Sequence, residues 1–391
     1  MVPESSMDFI YKEKENVLAK HQELVLIESG SQNLRGLKQM SEAVSRELEG
    51  LGFTLKVYEY EKAGPTLVAE KKGDQKGFVL LLGHMDTVFE EGALIKNPFR
   101  KEGGKIYGPG ALDMKGGIVQ MIFALKFLNA ANWQKYGVKV ILVGDEETGH
   151  PDSDARELFA REAEGALCVF CCEAGRLNNQ IVLERKGVAL LSLQVEGRAA
   201  HAGNELASGR NAVAELSRLI VDIDEKYTDP EAGLTASIGI VEGGKATNVV
   251  PDAARGLFDI RFTSQASFDE FLTYVDRRTE KPHKDQFTTH ASHFIEYPPM
   301  VKTPASAKLL DYASGQSEKN GFGKLQGMSV GGGADSTFFS ALGIPTLCAF
   351  GPAGEFSHTY EEYVLEESLF ERTILLADCI LNLDESMMLI G

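Results

Sequence analysis

The sequence predicts an α/β protein with a mainly parallel sheet and an inserted domain of ferredoxin-like βαββαβ order. Three observations lead to this fold class. At 391 residues, the chain exceeds the usual length of one domain. Apolar strands alternate with helical segments in its first part, which is typical of a parallel sheet with helices on both faces. The pattern changes near residue 186 to longer alternating strands, and the first pattern resumes near residue 304.

The first part of the chain supplies most of the predicted parallel sheet. Its clearest strand is the continuous apolar run at 78–82, which is typical of a strand buried on both faces. The segment with Cys168, Cys171 and Cys172 is also interpreted as a buried strand, because its neighbours are apolar and no second cysteine pair follows. The predicted elements, in order, are helices at 7–28 and 36–50, strands at 53–60 and 78–82, a helix at 116–131, a strand at 138–143, a helix at 153–163 and a strand at 166–172.

The middle of the chain predicts a separate antiparallel domain. Its order of strand, helix, two strands, helix and strand is that of the split ferredoxin-like unit. We therefore expect a discontinuous catalytic domain at 1–185 and 298–391, with a lid and dimerisation domain inserted at 186–297. The remaining predicted elements are strands at 188–196, 234–242, 253–263 and 286–296, helices at 208–226 and 267–280, and then a helix at 304–321, a strand at 346–350 and a helix at 366–384.

Composition excludes several classes of protein. The net charge of −17 disfavours binding to nucleic acid and to anionic membranes. Five cysteines, three of them close together, do not resemble a disulfide framework. The sequence contains no signal-peptide core and no apolar run of ~18 residues. We therefore expect a cytoplasmic protein without a nucleic-acid or membrane partner.

Candidate metal ligands stand where the predicted strands end. His84, Glu147, Glu173 and His358 each follow a predicted strand, and Asp113 directly precedes a predicted helix. Alone, each would be interpreted as a solvated loop residue. Because ligands bind beyond the carboxyl ends of parallel strands, their joint occurrence predicts one site. Two imidazoles and three carboxylates suit two divalent ions, with zinc expected and cobalt or manganese also suited.

Three further polar residues lie beside these ligands in the sequence. Glu146 adjoins Glu147 but would point elsewhere, which makes it the candidate general base for a metal-activated water. Asp86 is either a carboxylate that orients His84 or a turn residue. His150 either approaches the site or is a loop histidine, and the second interpretation is preferred.

These motifs together resemble the co-catalytic zinc exopeptidases, which include glutamate carboxypeptidase, aminoacylase, acetylornithine deacetylase and succinyl-diaminopimelate desuccinylase. The resemblance extends from about residue 10 to residue 385 and is greatest to the glutamate carboxypeptidase branch. It rests on the order and spacing of GHMDTV at 83–88, GALDMKGG at 110–117, DEETG at 145–149, GRAAHAG at 197–203, TNVVP at 247–251, DIRF at 259–262, GGGADS at 331–336 and the late His358.

The resemblance implies a role for each metal-site residue. Asp113 would bridge two metals, with His84 and Glu173 completing one ligand set and Glu147 and His358 completing the other. Glu146 would be general base and then general acid, and Asp86 would hold His84. The peptide bond between Asp113 and Met114 would be cis.

The resemblance also implies roles for residues of the inserted domain. His201 would reach the active site of the partner subunit in a homodimer and help stabilise the oxyanion. Asn248 would contact substrate, and Arg261 would bind a substrate carboxylate. The amides of Gly331, Gly332 and Gly333 would bind the same end of the substrate.

The predicted function is a dinuclear-metal hydrolase that cleaves an amide bond next to a free carboxylate. We expect a carboxypeptidase that releases a C-terminal amino acid from a small peptide, using a metal-bridging hydroxide and Glu146, and a glutamate-like residue is one candidate for the released amino acid. An N-acyl amino acid deacylase, of the acetylornithine deacetylase or aminoacylase type, is the alternative, and a desuccinylase is also open. A non-catalytic protein that binds a small ligand in the same cleft is the alternative from another class.

Overall fold

The described residues, 4–282 and 286–384 of a computed structural model, fall into two units. The first unit comprises the chain up to Glu184, Lys302–Ser329 and the residues from Ala334 onward. The second comprises Arg185–Val301 and Val330–Gly333. The predicted inserted domain at 186–297 falls within the second unit.

The chain up to Arg185 contains six helices and eight strands among its described residues. The helices are α1 (Ser6–Lys12), α2 (Lys14–Val25), α3 (Leu34–Gly50), α4 (Ala93–Lys96), α5 (Gly117–Ala130) and α6 (Ala155–Glu162). The strands are β1 (Thr54–Tyr58), β2 (Gly64–Lys71), β3 (Phe78–His84), β4 (Arg100–Glu102), β5 (Lys105–Tyr107), β6 (Gly137–Gly144), β7 (Ala166–Cys171) and β8 (Gln180–Arg185).

The rest of the described chain follows the same nomenclature. The middle segment contains β9 (Gly187–Glu196), α7 (Ala212–Asp224), β10 (Leu234–Gly243), β11 (Ala253–Phe262), α8 (Gln265–Glu280) and β12 (Thr288–Tyr297). The final segment contains α9 (Pro304–Lys319), β13 (Gln326–Val330), α10 (Ser336–Ala341), β14 (Thr346–Leu347), β15 (Gly354–Glu355), β16 (Tyr363–Leu365) and α11 (Glu366–Leu381).

A six-stranded, mainly parallel sheet forms the centre of the first unit, as the sequence predicts. Its strand order is β1-β2-β6-β3-β7-β14, and β6, β3, β7 and β14 are parallel neighbours. β1 and β2 pair antiparallel at one edge. The side chains of Val79, Leu80, Leu81 and Leu82 are all fully buried, which explains the continuous apolar run of β3.

The helices of the first unit pack around this sheet in one hydrophobic core. α5 is buried along nearly its whole length, because its sequence is apolar on every side. α3 is amphipathic and buries the face that contains Leu37, Met40 and Val44. α9 begins with a capping box, in which Thr303 and Ser306 satisfy each other's backbone amides.

Several predicted elements differ from the structure in their bounds, and one strand of the central sheet is missing from the prediction. The predicted helix at 7–28 is two helices that separate at Glu13 and end at Val25. The buried Lys115 ammonium ends the second helix, because it donates to the carbonyl of Ile27 at 2.9 Å and contacts the carbonyl of Val25 at 3.5 Å. The missing strand is β2. It begins with Gly64-Pro65, a dipeptide that is typical of turns, although proline is also tolerated at the start of a strand.

The second unit contains a four-stranded antiparallel sheet with α7 and α8. The strand order is β10-β11-β9-β12, and every adjacent pair is antiparallel. Phe258, Ile260 and Phe262 of β11 join residues of both helices in a separate hydrophobic core. Alternate residues of β9 are exposed, as its period-two sequence predicts. A lid or dimerisation role for this unit stays a prediction.

Among the described residues, no helix is both long and apolar enough to span a membrane.

Candidate metal centre

Parallel strands bring the predicted metal ligands to one edge of the six-stranded sheet. β3 ends at His84, the turn with Glu147 follows β6, and Glu173 follows β7. β14 leads through a loop to His358, and Asp113 lies in the turn before α5. Because neighbouring parallel strands end at the same edge, the five side chains converge there.

One group of donor atoms belongs to His84, Asp113 and Glu173. His84 Nε2 lies 3.3 Å from Asp113 Oδ1 and 3.4 Å from Glu173 Oε1. His84 Nδ1 donates to the backbone carbonyl of Asp86 at 3.0 Å. In the neutral imidazole, this bond leaves the Nε2 lone pair facing the two carboxylates, as a metal ligand requires.

A second group belongs to Asp113, Glu147 and His358. His358 Nε2 lies 3.3 Å from Asp113 Oδ2 and 3.3 Å from Glu147 Oε2. Asp113 thus contributes one oxygen to each group, and the ligand atoms of each group lie within 4.8 Å of one another. Glu147 Oε1 is buried and accepts no hydrogen bond from the described residues, so a cation would satisfy it.

The electrostatics of the two groups favour cations. Hydrogen bonds to Asp113 and Glu147 raise the pKa of His358 to about 11. Burial would lower the pKa of His84, but the charge of Glu173 and the bond to Asp113 raise it well above its usual range. Carboxylates therefore dominate the site. With imidazole and oxygen donors and no thiolate among them, the residues fit two divalent ions such as zinc, cobalt or manganese.

Asp86 holds the turn that carries Glu146 and Glu147. Its Oδ1 accepts from the Glu146 amide and its Oδ2 from the Glu147 amide, each at 3.1 Å. Ser31 Oγ donates to Oδ2 at 2.8 Å. The contact of Asp86 Oδ1 with His84 Nδ1 is longer, at 3.4 Å. The fully buried Asp86 therefore connects the end of β3 to the turn after β6.

Glu146 lies at the same edge and belongs to neither group of ligand atoms. Burial raises the pKa of its carboxyl group well above the usual range, and the charges of Glu173, Asp335 and Glu147 add to that rise. His84 acts in the opposite direction. A carboxyl group with a raised pKa beside a metal site is suited to accept and return a proton.

Glu362 supports Asp113 and was not predicted. Its Oε1 accepts from the backbone amides of Leu112 at 2.7 Å and Asp113 at 3.0 Å. Burial and the neighbouring Asp113 raise the pKa of Glu362 to about 8. The peptide bond between Asp113 and Met114 is cis, as the resemblance implies. No sequence pattern distinguishes the buried Glu362 from the exposed Glu361 beside it.

His150 lies in a loop, as the sequence predicts, but it is not exposed to solvent. Its side chain is fully buried, with Nδ1 at 2.8 Å from Asp145 Oδ1 and Nε2 at 2.7 Å from Asp335 Oδ1. Burial lowers the pKa of His150, but Asp335 and Asp145 together raise it to about 10. The three cysteines of the 166–172 strand are buried as predicted.

His201 and Asn248 lie on adjacent segments of the second unit. The backbone of His201 pairs with that of Val249, and the Ala202 amide donates to the Asn248 carbonyl at 2.9 Å. His201 Nδ1 accepts from the amides of Gly203 and Asn204 at 3.1 and 3.2 Å. The neutral imidazole therefore carries its proton on Nε2, and this side chain is exposed.

Arg261 and the glycine loop have partners of their own within the second unit. Arg261 Nε and Nη2 donate to the two oxygens of Asp259, each at 2.7 Å. Arg185 Nη1 donates to the carbonyls of Gly332 at 2.9 Å and Gly333 at 3.1 Å. A Cβ on Gly333 would lie 2.5 Å from the Tyr297 ring, so only glycine fits there.

Comparison with known proteins gives a consistent result. The sequence pattern of peptidase family M20/M25/M40 matches residues 80–382. Carboxypeptidase G2 from a Pseudomonas species is 29% identical over 381 residues, which are 95% of this chain and 90% of that protein. A succinyl-diaminopimelate desuccinylase from a Bradyrhizobium species is 27% identical over 344 residues, covering 81% and 86%. The solved structure of aminopeptidase PepT from Bacillus cereus has a similar fold, with a TM-score of 0.78 at 20% identity over 94% of this chain and 98% of that one.

Proposed function

The chain belongs to peptidase family M20/M25/M40 and is a metal-dependent hydrolase, and on this premise we propose that it is a carboxypeptidase. Its substrate is a small peptide or N-acyl amino acid with a free carboxylate next to the scissile amide. The observation that carries this proposal is the pair of three-residue ligand groups that share Asp113 and lie beside Glu146. Both the ligands and the base of a hydrolytic site are present, which argues against a non-catalytic binding protein.

Two divalent cations fit the ligand groups, with zinc as the proposed metal. His84 and Glu173 would hold one cation and Glu147 and His358 the other, with Asp113 between them. When bound, such ions polarise a carbonyl group and make a water molecule more acidic. The buried Asp86 and Glu362 keep these ligands in place through the backbone.

Glu146 is the proposed proton carrier of the reaction. Its carboxylate would take a proton from the attacking water and return it to the leaving amine. Its raised pKa supports this role, because it makes the carboxylate a stronger proton acceptor. Asp86 supports the role by holding the Glu146 amide at 3.1 Å.

The second unit supplies the proposed substrate contacts. The exposed His201 with its proton on Nε2 is suited to donate to a developing oxyanion, in the active site of the partner within a homodimer. Asn248, on the adjacent segment, is proposed as a further contact. Arg261 would bind the substrate carboxylate, either by exchanging it for Asp259 or with its remaining Nη1. The amides of Gly331–Gly333 are proposed to bind the same end.

A second candidate is an N-acyl amino acid deacylase, which the desuccinylase relatives favour. The carboxypeptidase is preferred because the match to carboxypeptidase G2 covers more of the chain. A cytoplasmic location is part of the proposal and is supported by the five buried, free cysteines.

A substrate panel with added zinc, cobalt or manganese tests the proposal. The panel holds the released amino acid constant and varies its partner among an aminoacyl, an acetyl, an aromatic acyl and a succinyl group. Faster release from the peptides supports the carboxypeptidase, and faster release from the simple acyl compounds supports the deacylase. No turnover on any compound, with two metals bound, would rule out the hydrolase.

Glu146→Ala tests the assignment of the base. We expect turnover to fall at least ~100-fold, because general-base catalysis is typically worth 10²–10⁴-fold. Metal content, measured by atomic emission, should stay at the wild-type value because Glu146 is not among the ligand atoms. Glu157→Ala, at an exposed glutamate of α6, is the control and should retain activity. Full activity of Glu146→Ala would mean that another group is the base.

A further inference from the structure

A buried ionic cluster lies outside the two ligand groups. His150 bridges Asp145 and Asp335 with hydrogen bonds of 2.8 and 2.7 Å. The side chain of His150 is fully buried, and each aspartate side chain is 3% exposed. Because each ring nitrogen faces a carboxylate, both nitrogens donate and the ring carries a positive charge.

The cluster joins two segments that are distant in sequence. Asp145 begins the turn with Glu146 and Glu147, and the His150 amide closes this turn by donating to the Asp145 carbonyl at 3.2 Å. Asp335 precedes α10, 185 positions later in the chain than His150. The ring of His150 also packs edge-on against Phe159 of α6, with centroids 5.7 Å apart. His150 is the last residue of the turn, so its contacts hold the C-terminal end of the turn in place.

The turn has two independent anchors. Asp86 holds the amides of Glu146 and Glu147, and His150 holds the end of the turn to Asp335. An anchor at one end alone would let the other end of a six-residue turn move. A shift of the backbone at Glu147 would displace its carboxylate from His358, since only one oxygen of Glu147 makes that 3.3 Å contact.

We propose that His150 is a positioning residue that fixes the Glu146–Glu147 turn by linking Asp145 to Asp335. This inference rests on the proposed function, because it assigns Glu147 to a metal ion. His150 touches no ligand atom and no reacting atom. Its effect passes through the turn to the ion held by Glu147, and the ion held by His84 and Glu173 is unaffected.

His150→Asn tests the link between Asp145 and Asp335. Asparagine tolerates the left-handed backbone of His150, which has φ 59°. Its amide nitrogen replaces Nδ1 and keeps a donor for Asp145, while the link to Asp335, the positive charge and the ring contact with Phe159 are lost. The metal-free protein is titrated with Co²⁺, and binding is followed by visible absorption. Glu147→Gln and Glu173→Gln show which spectral change belongs to which ion.

We expect His150→Asn to lower the Co²⁺ affinity of the Glu147-dependent site about tenfold or more and to leave the affinity of the other site unchanged. On the best substrate of the panel, kcat should fall while KM changes little, because the turn carries the base. Leu376→Ala, at a buried core residue of α11, controls for lost stability and should leave both Co²⁺ affinities unchanged.

Asp335→Ala breaks the same link at its other end. It replaces His150→Asn as the test if that variant does not fold. The double variant should bind Co²⁺ no more weakly than the worse of the two single variants, because both remove one interaction. Equal Co²⁺ affinities in the wild type and in both single variants would overturn this inference alone. A wild type that binds no Co²⁺ would overturn the proposed function and this inference with it.

Discussion

At the scale of single residues, hydrogen bonds at the ring nitrogens separate four histidines into four roles. His84 donates from Nδ1 to a carbonyl and presents Nε2 to two carboxylates, as a metal ligand does. His150 donates from both nitrogens, and the exposed His201 accepts at Nδ1. His21 is buried and bonds only through Nε2 among the described residues, to the Ala111 carbonyl at 2.8 Å. Residue type alone would treat all four alike.

Glu362 provides a test of how the bridging aspartate is held. Glu362→Ala leaves the buried amides of Leu112 and Asp113 without an acceptor, which should lower the free energy of unfolding by about 2–4 kcal/mol. Glu362→Gln keeps an acceptor oxygen in the same place and should cost less than about 1 kcal/mol. Urea unfolding of the metal-loaded variants measures both. Equal losses in the two variants would contradict the role of the acceptor oxygen.

At the scale of secondary structure, the positions of the proposed metal ligands depend on close contact between α5 and β7. Gly117, the first residue of α5, packs against the end of β7, where Cys172 precedes Glu173. A Cβ on Gly117 would lie 2.0 Å from the Cys172 carbonyl oxygen. Only glycine therefore allows the helix after Asp113 to approach the strand before Glu173, and this approach brings two ligands of one group together.

Gly117→Ala tests this contact. The added methyl group would force α5 away from β7, so we expect a loss of about 3 kcal/mol in unfolding free energy and weaker metal binding. Gly315→Ala in α9 is the matched control, because no atom lies within 4 Å of its Cβ. It should stabilise the protein by about 0.5–1 kcal/mol. Opposite signs in thermal or urea unfolding would support the interpretation, and two stabilised variants would contradict it.

At the scale of the whole molecule, the buried His21 links stability to pH. Burial lowers its pKa from the usual 6.5 to about 4. Between these values, the unfolded chain binds more protons than the folded one, so the unfolding free energy increases with pH. The contribution of about 3 kcal/mol is fully present above pH 6.5 and is lost as the pH falls towards 4.

His21→Gln should remove this part of the pH dependence. Its amide nitrogen replaces Nε2 and keeps a donor for the Ala111 carbonyl, but it does not titrate. Urea unfolding at a series of pH values between 4 and 7.5 measures the difference between the two proteins. The wild type should lose stability relative to the variant as the pH falls. Parallel curves would contradict the role of His21.

The proposed homodimer can be tested by complementation. His201→Ala and Glu146→Ala are each expected to be nearly inactive. If His201 acts in the partner's site, mixed dimers contain one complete site, and random exchange should restore about a quarter of the wild-type activity. Sedimentation velocity of the wild type measures the dimer itself. A fully active monomer, or no recovery in exchanged dimers, would mean that His201 does not act across subunits.

The convergence of the proposed metal ligands at one sheet edge could be predicted, because it depends on local sequence signals. Runs of apolar residues indicate strands, and the polar residues that follow must lie at one sheet edge if the strands are parallel, as holds for His84, Glu147 and Glu173. The antiparallel edge strand β2 was not predicted, because its Gly-Pro start hides the pattern. Short strands such as β15 contain too few residues to show any period.

Residue type and order in the chain are enough to infer a parallel sheet, a row of metal ligands at its edge and a family of hydrolases. The apolar strands and the polar residues that follow them are short sequence patterns, so they can be recognised without knowledge of long-range contacts. The supports of the site come from the folded chain instead: Glu362 under Asp113, Asp86 under the Glu146–Glu147 turn, and His150 with Asp335. Each joins residues far apart in sequence through hydrogen bonds between buried groups. Packing creates that burial, and no local pattern encodes it.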